Sequence, residues 1–312
     1  KTRKNSDLFF CSFNNTLLLP LSRSCIAQLR YPEIVRKVHL GYLKVGARII
    51  ITNTYATNFN VLNAAGLGDK TEEAIEAAVK LAIEARQTYL GEYEKEGRKR
   101  ERILVAGSLS AHPPALKQGD GDTFHGSYPP AEEEEENYKA TALCLEKCGV
   151  DILFLEMMKC LDHAPLAIRA ASKTSLPIAL GISARLSKNG ELLLWGNGGN
   201  HLLFTEERFS HFVELAGPNL VAVNVMHTNF NAVLPALKMV RSAGWKGPLG
   251  AYPDHGHFVP PKWKFEEIDR EQVKMYVRSW IQESGVTMVG GCCGLGLDYI
   301  SQLSTDLETL KT

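Results

Sequence analysis

No stretch of the 312-residue chain is long and apolar enough to span a bilayer. Charge excess is absent too. The 35 Lys and Arg balance 35 Asp and Glu, which removes the electrostatic case for nucleic acid or an anionic membrane as partner. No GxGxxG follows an early strand. The glycine-rich string Gly196-Asn197-Gly198-Gly199-Asn200 lacks the spacing of a phosphate-binding loop. No internal repeat and no linker divides the chain. A disulfide framework is missing as well, since the seven cysteines (11, 25, 144, 148, 160, 292, 293) are odd in number and unevenly spaced. That usage points to a reducing, intracellular compartment. Basic residues Lys1–Lys4 before Leu8-Phe9-Phe10 faintly outline a signal peptide, but Asp7 and Asn14-Asn15 interrupt it and no small-residue cleavage site follows. A cytoplasmic protein is expected. The string does not open with Met, which leaves the true N-terminus open.

What is present is enough apolar residue, 45%, for a well-buried core at a length that suits one large α/β barrel or two ordinary domains. Short apolar runs at 48–52, 103–108, 151–156, 177–183, 220–225, 248–253 and 286–293 read as strands. Helical stretches at about 71–97, 131–147, 162–173, 205–215, 232–243, 265–284 and 298–310 follow them. Strands that are apolar nearly throughout are expected where a parallel sheet is covered on both faces. With an irregular eighth candidate near the start, the order predicts a (β/α)8 TIM barrel with an altered first strand and a single domain over 1–312. An open doubly wound sheet is the alternative.

Near the C-terminus stands Gly290-Gly291-Cys292-Cys293-Gly294. Neighbouring residues of a strand point to opposite faces, so two core cysteines do not explain the pair. Flanking glycines allow a bend that turns both sulfurs to one point. Three readings are open here: a zinc half-site, a strained vicinal disulfide, or two unrelated thiols. In a barrel the active site gathers at the C-terminal strand ends. Those ends read Asn53-Thr54-Tyr55, Gly107-Ser108, Glu156, Ser183, Asn224-Val225, Tyr252-Pro253-Asp254 and Cys292-Cys293. Together they supply a carboxylate, amides, hydroxyls and a thiolate pair around one mouth.

The same strings carry a family resemblance. Val45-Gly46-Ala47-Arg48-Ile49-Ile50-Ile51-Thr52-Asn53-Thr54-Tyr55 resembles the TNTY signature of zinc-dependent homocysteine S-methyltransferases. Ala106-Gly107-Ser108, Phe124-His125-Gly126-Ser127-Tyr128, Gly149–Glu156, Tyr252-Pro253 and the GGCC string are similar to that family's motifs, in the same order, over about residues 30 to 305. Residues 1–29 diverge. The resemblance implies a barrel with zinc at the strand ends that moves a methyl group to the sulfur of homocysteine, forming methionine. It makes Cys292 and Cys293 two of three zinc thiolates, and Glu156 the partner of the homocysteine amino group. Asn53, Thr54, Ser108 and Asn224 are expected to line the amino-acid pocket. Tyr55 and Phe59 are expected to flank the donor methyl, since aromatic faces attract sulfonium or ammonium groups. The implied partners are homocysteine and a small methyl donor, with selenocysteine as an alternative acceptor and a homo-oligomer as a possible assembly. No cobalamin or folate domain is visible, which favours a small sulfonium or ammonium donor.

Two departures from the family stand out. Its third thiolate follows Asn at the end of the sixth strand, and here that string reads Asn224-Val225-Met226-His227. Valine binds no metal; His227, two residues on, is a candidate replacement ligand, although a capping or surface histidine is the role expected first, His255 and His257 are weaker candidates, and Val225→Cys is expected to tighten zinc binding. The family's opening Asp-Gly-Gly is missing as well; residues 9–19 are expected to fill the first strand's place. These departures support a rival reading, a degenerate member without catalysis that serves binding or assembly. Elsewhere, Glu132–Glu136 reads as a solvated helix face, and Cys144 and Cys148 read as core packing.

Overall fold

The computed structural model describes residues 8–11, 26–97, 102–111, 128–194, 201–259, 262–265 and 268–310. Residues 12–19 of the first-strand candidate, the string 124–127 and the glycine-rich 196–200 lie outside the described residues.

The strands predicted from apolar runs are all present, as β2 (Ile49–Ile51), β3 (Leu104–Ser110), β4 (Ile152–Met158), β5 (Ile178–Ile182), β9 (Leu220–Asn229), β10 (Leu249–Asp254) and β13 (Met288–Gly291). The predicted helices follow them: α4 (Thr71–Lys95), α5 (Ala131–Lys147), α6 (Ala164–Ala171), α7 (Glu206–Ala216), α8 (Phe230–Ser242), α9 (Arg270–Ser284) and α10 (Leu297–Leu310). Helices α1 (Ala27–Arg30), α2 (Pro32–Lys44) and α3 (Phe59–Ala64) precede them. Local signals fix several ends. The side chains of Asn58, Thr205 and Asp269 cap α3, α7 and α9 by accepting the amides of Val61, Arg208 and Gln272. Gly285 ends α9 in the left-handed conformation that a glycine adopts most easily.

Strand β1 (Leu8–Cys11) pairs in parallel with β13, so the altered first strand begins where expected. The main sheet runs β1-β13-β10-β9-β5-β4-β3-β2, and each adjacent pair is parallel. Its two ends, β1 and β2, lie beside each other without a hydrogen-bonded ladder between them among the described residues. The observed architecture is thus a curled parallel sheet with helices packed on it.

Two apolar layers hold this arrangement. Alternate strand residues such as Ile50, Val105, Leu155, Val223 and Val289 face helix residues such as Leu43, Val79, Leu145 and Trp280. The intervening residues, among them Ile51, Ala106, Phe154, Ala179, Met226, Tyr252 and Met288, fill the inside of the curl. Arg86 and the Val105 amide both bond the Asp151 carboxylate, at 2.5 and 2.7 Å, tying α4, β3 and β4 together. Two additions were not expected. A three-stranded antiparallel sheet, β6 (Ala184–Leu186), β7 (Leu192–Leu194) and β8 (Leu202–Leu203), replaces the loop read after β5. A hairpin, β11 (Gly256–Val259) and β12 (Lys262–Phe265), delays the start of α9 from 265 to Arg270.

Candidate metal and substrate site

Polar groups collect where the inner face of the curl ends. Two backbone irregularities shape that mouth. Among the described residues, Met157 (φ 61°) and His227 (φ 44°) are the non-glycine residues in left-handed conformation. Each sits at a break in strand register, one between Leu155 and Met158 on β4, the other opposite Tyr252 to Asp254 on β9. A bulge of this kind re-aims the side chain that carries it. Alternation puts Asn224 and Met226 inside and Val225 outside, and would send His227 outward too. The left-handed turn brings it back in.

The imidazole of His227 therefore meets the cysteine pair. Its Nδ1 lies 3.6 Å from Cys292 Sγ and 3.7 Å from Cys293 Sγ, and the two sulfurs are 3.8 Å apart. Both cysteines are free thiols, and all three donors are buried. Tetrahedral zinc, with bonds of about 2.3 Å to sulfur and about 2.0 Å to nitrogen, holds its ligand atoms about 3.8 Å (S···S) and about 3.5 Å (S···N) apart. The triangle fits that ion, for which these residues would supply three ligand atoms. Burial and the neighbouring thiol oppose ionisation of the pair. Cys292 is pushed well up by its hydrogen bond to Cys293, then by burial, with His227 pulling back. Burial drives the proton off His227, and Cys292 and Asp254 more than offset this, so it sits above the usual imidazole range. Asp254 Oδ2 is 3.5 Å from His227 Nδ1. Main-chain bonds brace the corner: the Cys292 amide donates to Pro253 O at 2.7 Å, and the His255 amide donates to Cys293 O at 2.8 Å.

On the other side of the mouth stands Glu156, fully buried. Ser108 Oγ donates to its Oε1 at 2.5 Å, while Oε2 has no partner. Burial raises this carboxyl to about 7, against the pull of Ser108 and His227. That leaves a buried carboxyl oxygen whose hydrogen-bonding capacity the described residues do not use. Asn224 is likewise fully buried with both amide atoms unpartnered. It occupies the space left by Gly250, where a Cβ would come within 1.8 Å of its Oδ1. Tyr55 packs half-buried against the inner layer. Its phenol is raised first by burial, then by the charges of Glu156, Cys292, Cys293 and Tyr128, so it borders both halves of the site.

The structure thus brings together Cys292, Cys293, His227, Glu156, Ser108, Asn224 and Tyr55. Thr54 and Asn53 sit in the scaffold beneath. Thr54 donates to Ser108 O at 2.7 Å and accepts from Thr52 at 2.7 Å, while Thr52 accepts the Ser108 amide. Asn53 donates to Gln28 Oε1 at 2.7 Å. Phe59 is half-buried in the first turn of α3. His255 is turned edge-on to Phe230, with ring centroids 5.9 Å apart, and is not part of the donor triangle; the His257 side chain lies outside the described residues. Val225 requires a correction. It is fully buried in the layer that faces the helices, so a thiol built there would point away from the mouth. The solvated acidic face holds for Glu132, Glu133 and Glu136, which are exposed, and needs correcting at the two residues between. Glu134 is buried, with His163 Nδ1 at 2.9 Å, and Glu135 pairs with Arg169. Cys144 packs in the outer layer, raised to about 12 by burial. Asp254 and Lys159 at the mouth had no assigned role in the sequence; Lys159 directly follows the apolar run of β4, and that position was the available signal.

A curled α/β sheet thus carries at its strand ends a His-Cys-Cys group that could hold a metal ion, with a buried carboxyl at the same mouth. The family model for homocysteine S-methyltransferase matches residues 6–307, and the chain belongs to that family of methyltransferases. It is 24% identical over 306 residues to the homocysteine S-methyltransferase YbgG of Bacillus subtilis, covering 97% of this chain and 91% of that protein. It is 28% identical over 267 residues to the homocysteine S-methyltransferase of Escherichia coli, covering 84% and 80%. Against the selenocysteine methyltransferase of Astragalus bisulcatus the identity is 28% over 296 residues, covering 89% and 83%. In fold it is similar to the metallated form of the Escherichia coli homocysteine methyltransferase MmuM, with a TM-score of 0.70, 22% identity and 96% of each chain covered.

Proposed function

We propose that the chain transfers a methyl group from a small donor to the sulfur of homocysteine at a zinc ion held by His227, Cys292 and Cys293. The donor triangle carries this reading, because its three edges suit the ion and its open corner suits a fourth sulfur. When bound, the metal supplies the ionisation of the acceptor thiol, whose free pKa of ~8.5 leaves little thiolate at neutral pH. The protein's residues do the rest. Glu156, fixed by Ser108, takes the substrate ammonium on its bare oxygen. Asn224 offers an amide to the amino acid. Tyr55 presents an aromatic face to a cationic methyl donor. Holding acceptor and donor in line contributes more to the rate than any proton transfer, since a bound thiolate needs no base. The whole of 1–312 acts as one barrel domain in this reading, closed between β1 and β2.

A degenerate, non-catalytic member is the weaker reading, because His227 restores the ligand count that Val225 takes away. Elemental analysis of protein purified in reducing buffer tests the two. Near-stoichiometric zinc is expected, with at least a tenfold loss of affinity in His227→Ala, together with methylation of homocysteine or selenocysteine from one member of a donor panel. Protein free of zinc, or a His227→Ala variant that holds it equally well, would leave the proposal without its metal.

A further inference from the structure

One cation at the mouth has no task in the reading above. Lys159 leaves the end of β4 three residues after Glu156, just past the bulge and the left-handed Met157. Its ammonium has no hydrogen bond and no ion pair among the described residues, although the residue is half-buried. Desolvation by burial holds it below the usual lysine range, with Cys160 pulling the other way. Its charge opposes a proton on both His227 and His201, which puts it within electrostatic reach of the two. His201 lies 2.7 Å from Arg185, which β6 places just beyond the end of β5. Lys159 follows the end of β4 and the Arg185–His201 pair follows the end of the neighbouring β5, and no carboxylate of the described residues pairs with Lys159. A desolvated ammonium without an anion is a cost that a fold carries where a ligand brings the anion.

We propose that Lys159 binds the carboxylate of an amino-acid substrate, with the Arg185 guanidinium adding to the positive field behind it. An amino acid would then be gripped at both ends of its zwitterion, the ammonium on Glu156 and the carboxylate on Lys159. The inference rests on the methyl-transfer reading, in which two molecules can bring that group: the thiol acceptor or a zwitterionic sulfonium donor.

Calorimetry on the zinc-loaded full chain tests it with ligand pairs that differ by the carboxylate alone. One pair is homocysteine and 3-aminopropane-1-thiol. The other is S-methylmethionine and (3-aminopropyl)dimethylsulfonium. Lys159→Met keeps the aliphatic stem and removes an unpaired charge, so it is expected to fold and to hold zinc as the parent does. It should weaken the carboxylate-bearing member of one pair by about 10- to 100-fold, the worth of a charge-assisted hydrogen bond. The carboxylate-free analogue should change less than twofold, and Lys159→Arg should recover most of the loss. The pair that responds identifies the source of the carboxylate. Equal weakening of both members, or of neither, in both pairs overturns the proposal. Because binding is read directly, carboxylate-selective loss without any turnover would sink the methyl-transfer reading and leave Lys159 its ligand. Turnover with Lys159-independent binding would do the reverse.

Discussion

Glu156 shows how a single residue is held in readiness. One oxygen is fixed by Ser108 and the other is bare inside the protein, which keeps the carboxyl protonated up to about pH 7. In the unfolded chain a glutamate titrates near ~4.3. The folded pKa is thus raised. Its contribution to stability is fully present below ~4.3 and is lost as pH rises through 7, by about 4 kcal/mol at most. Glu156→Gln is expected to match the parent near pH 4.5 and to melt several degrees above it at pH 8 in the ligand-free state, while losing at least tenfold in homocysteine affinity. Thermal scans at the two pH values, with calorimetry at pH 8, measure both effects. Equal melting temperatures at both pH values would remove Glu156 as the titrating group.

At the scale of elements, the strands of the main sheet were legible because each is an apolar run covered on both faces, and the helices because their periodicity has no competitor. The cysteine corner was legible as a vicinal pair at a strand end, and Glu156 and Ser108 through the strand-end motifs that resemble the family's. The bulges were not. Neither His nor Met announces a left-handed residue, so alternation alone misplaces His227, and a motif match alone assigns a metal-binding role to the position of Val225, which points outward. Residues 184–203 were read as loop because β6 to β8 are only two or three residues long. The pairing of β9 with β10 was also hidden, although it explains Gly250. A methyl group there would strike Asn224. Gly250→Ala is expected to cost about 1–3 kcal/mol in urea unfolding and to weaken homocysteine binding while leaving zinc content intact. A variant as stable and as tight-binding as the parent would mean that Asn224 has room to turn aside.

For the molecule as a whole, the donor triangle joins β9 to the turn after β13, strands that are not neighbours in the sheet, since β10 lies between them. An ion bound at a hundredfold excess over its dissociation constant adds about 2.7 kcal/mol to stability. Chelation is expected to lower the melting temperature by roughly 5–10 °C, and Cys292→Ser is expected to melt at the chelated value with or without chelator. An unchanged parent melting curve after verified zinc removal would show that the centre carries no structural load.

The two main-chain bonds that link Pro253 to Cys292 and Cys293 to His255 couple the sulfur corner to the start of the β11–β12 hairpin. Those two pieces of chain cannot swing apart without breaking both links. The thiol corner and the root of the hairpin at Gly256 thus form one hydrogen-bonded unit, and separating them gives up two backbone bonds at once.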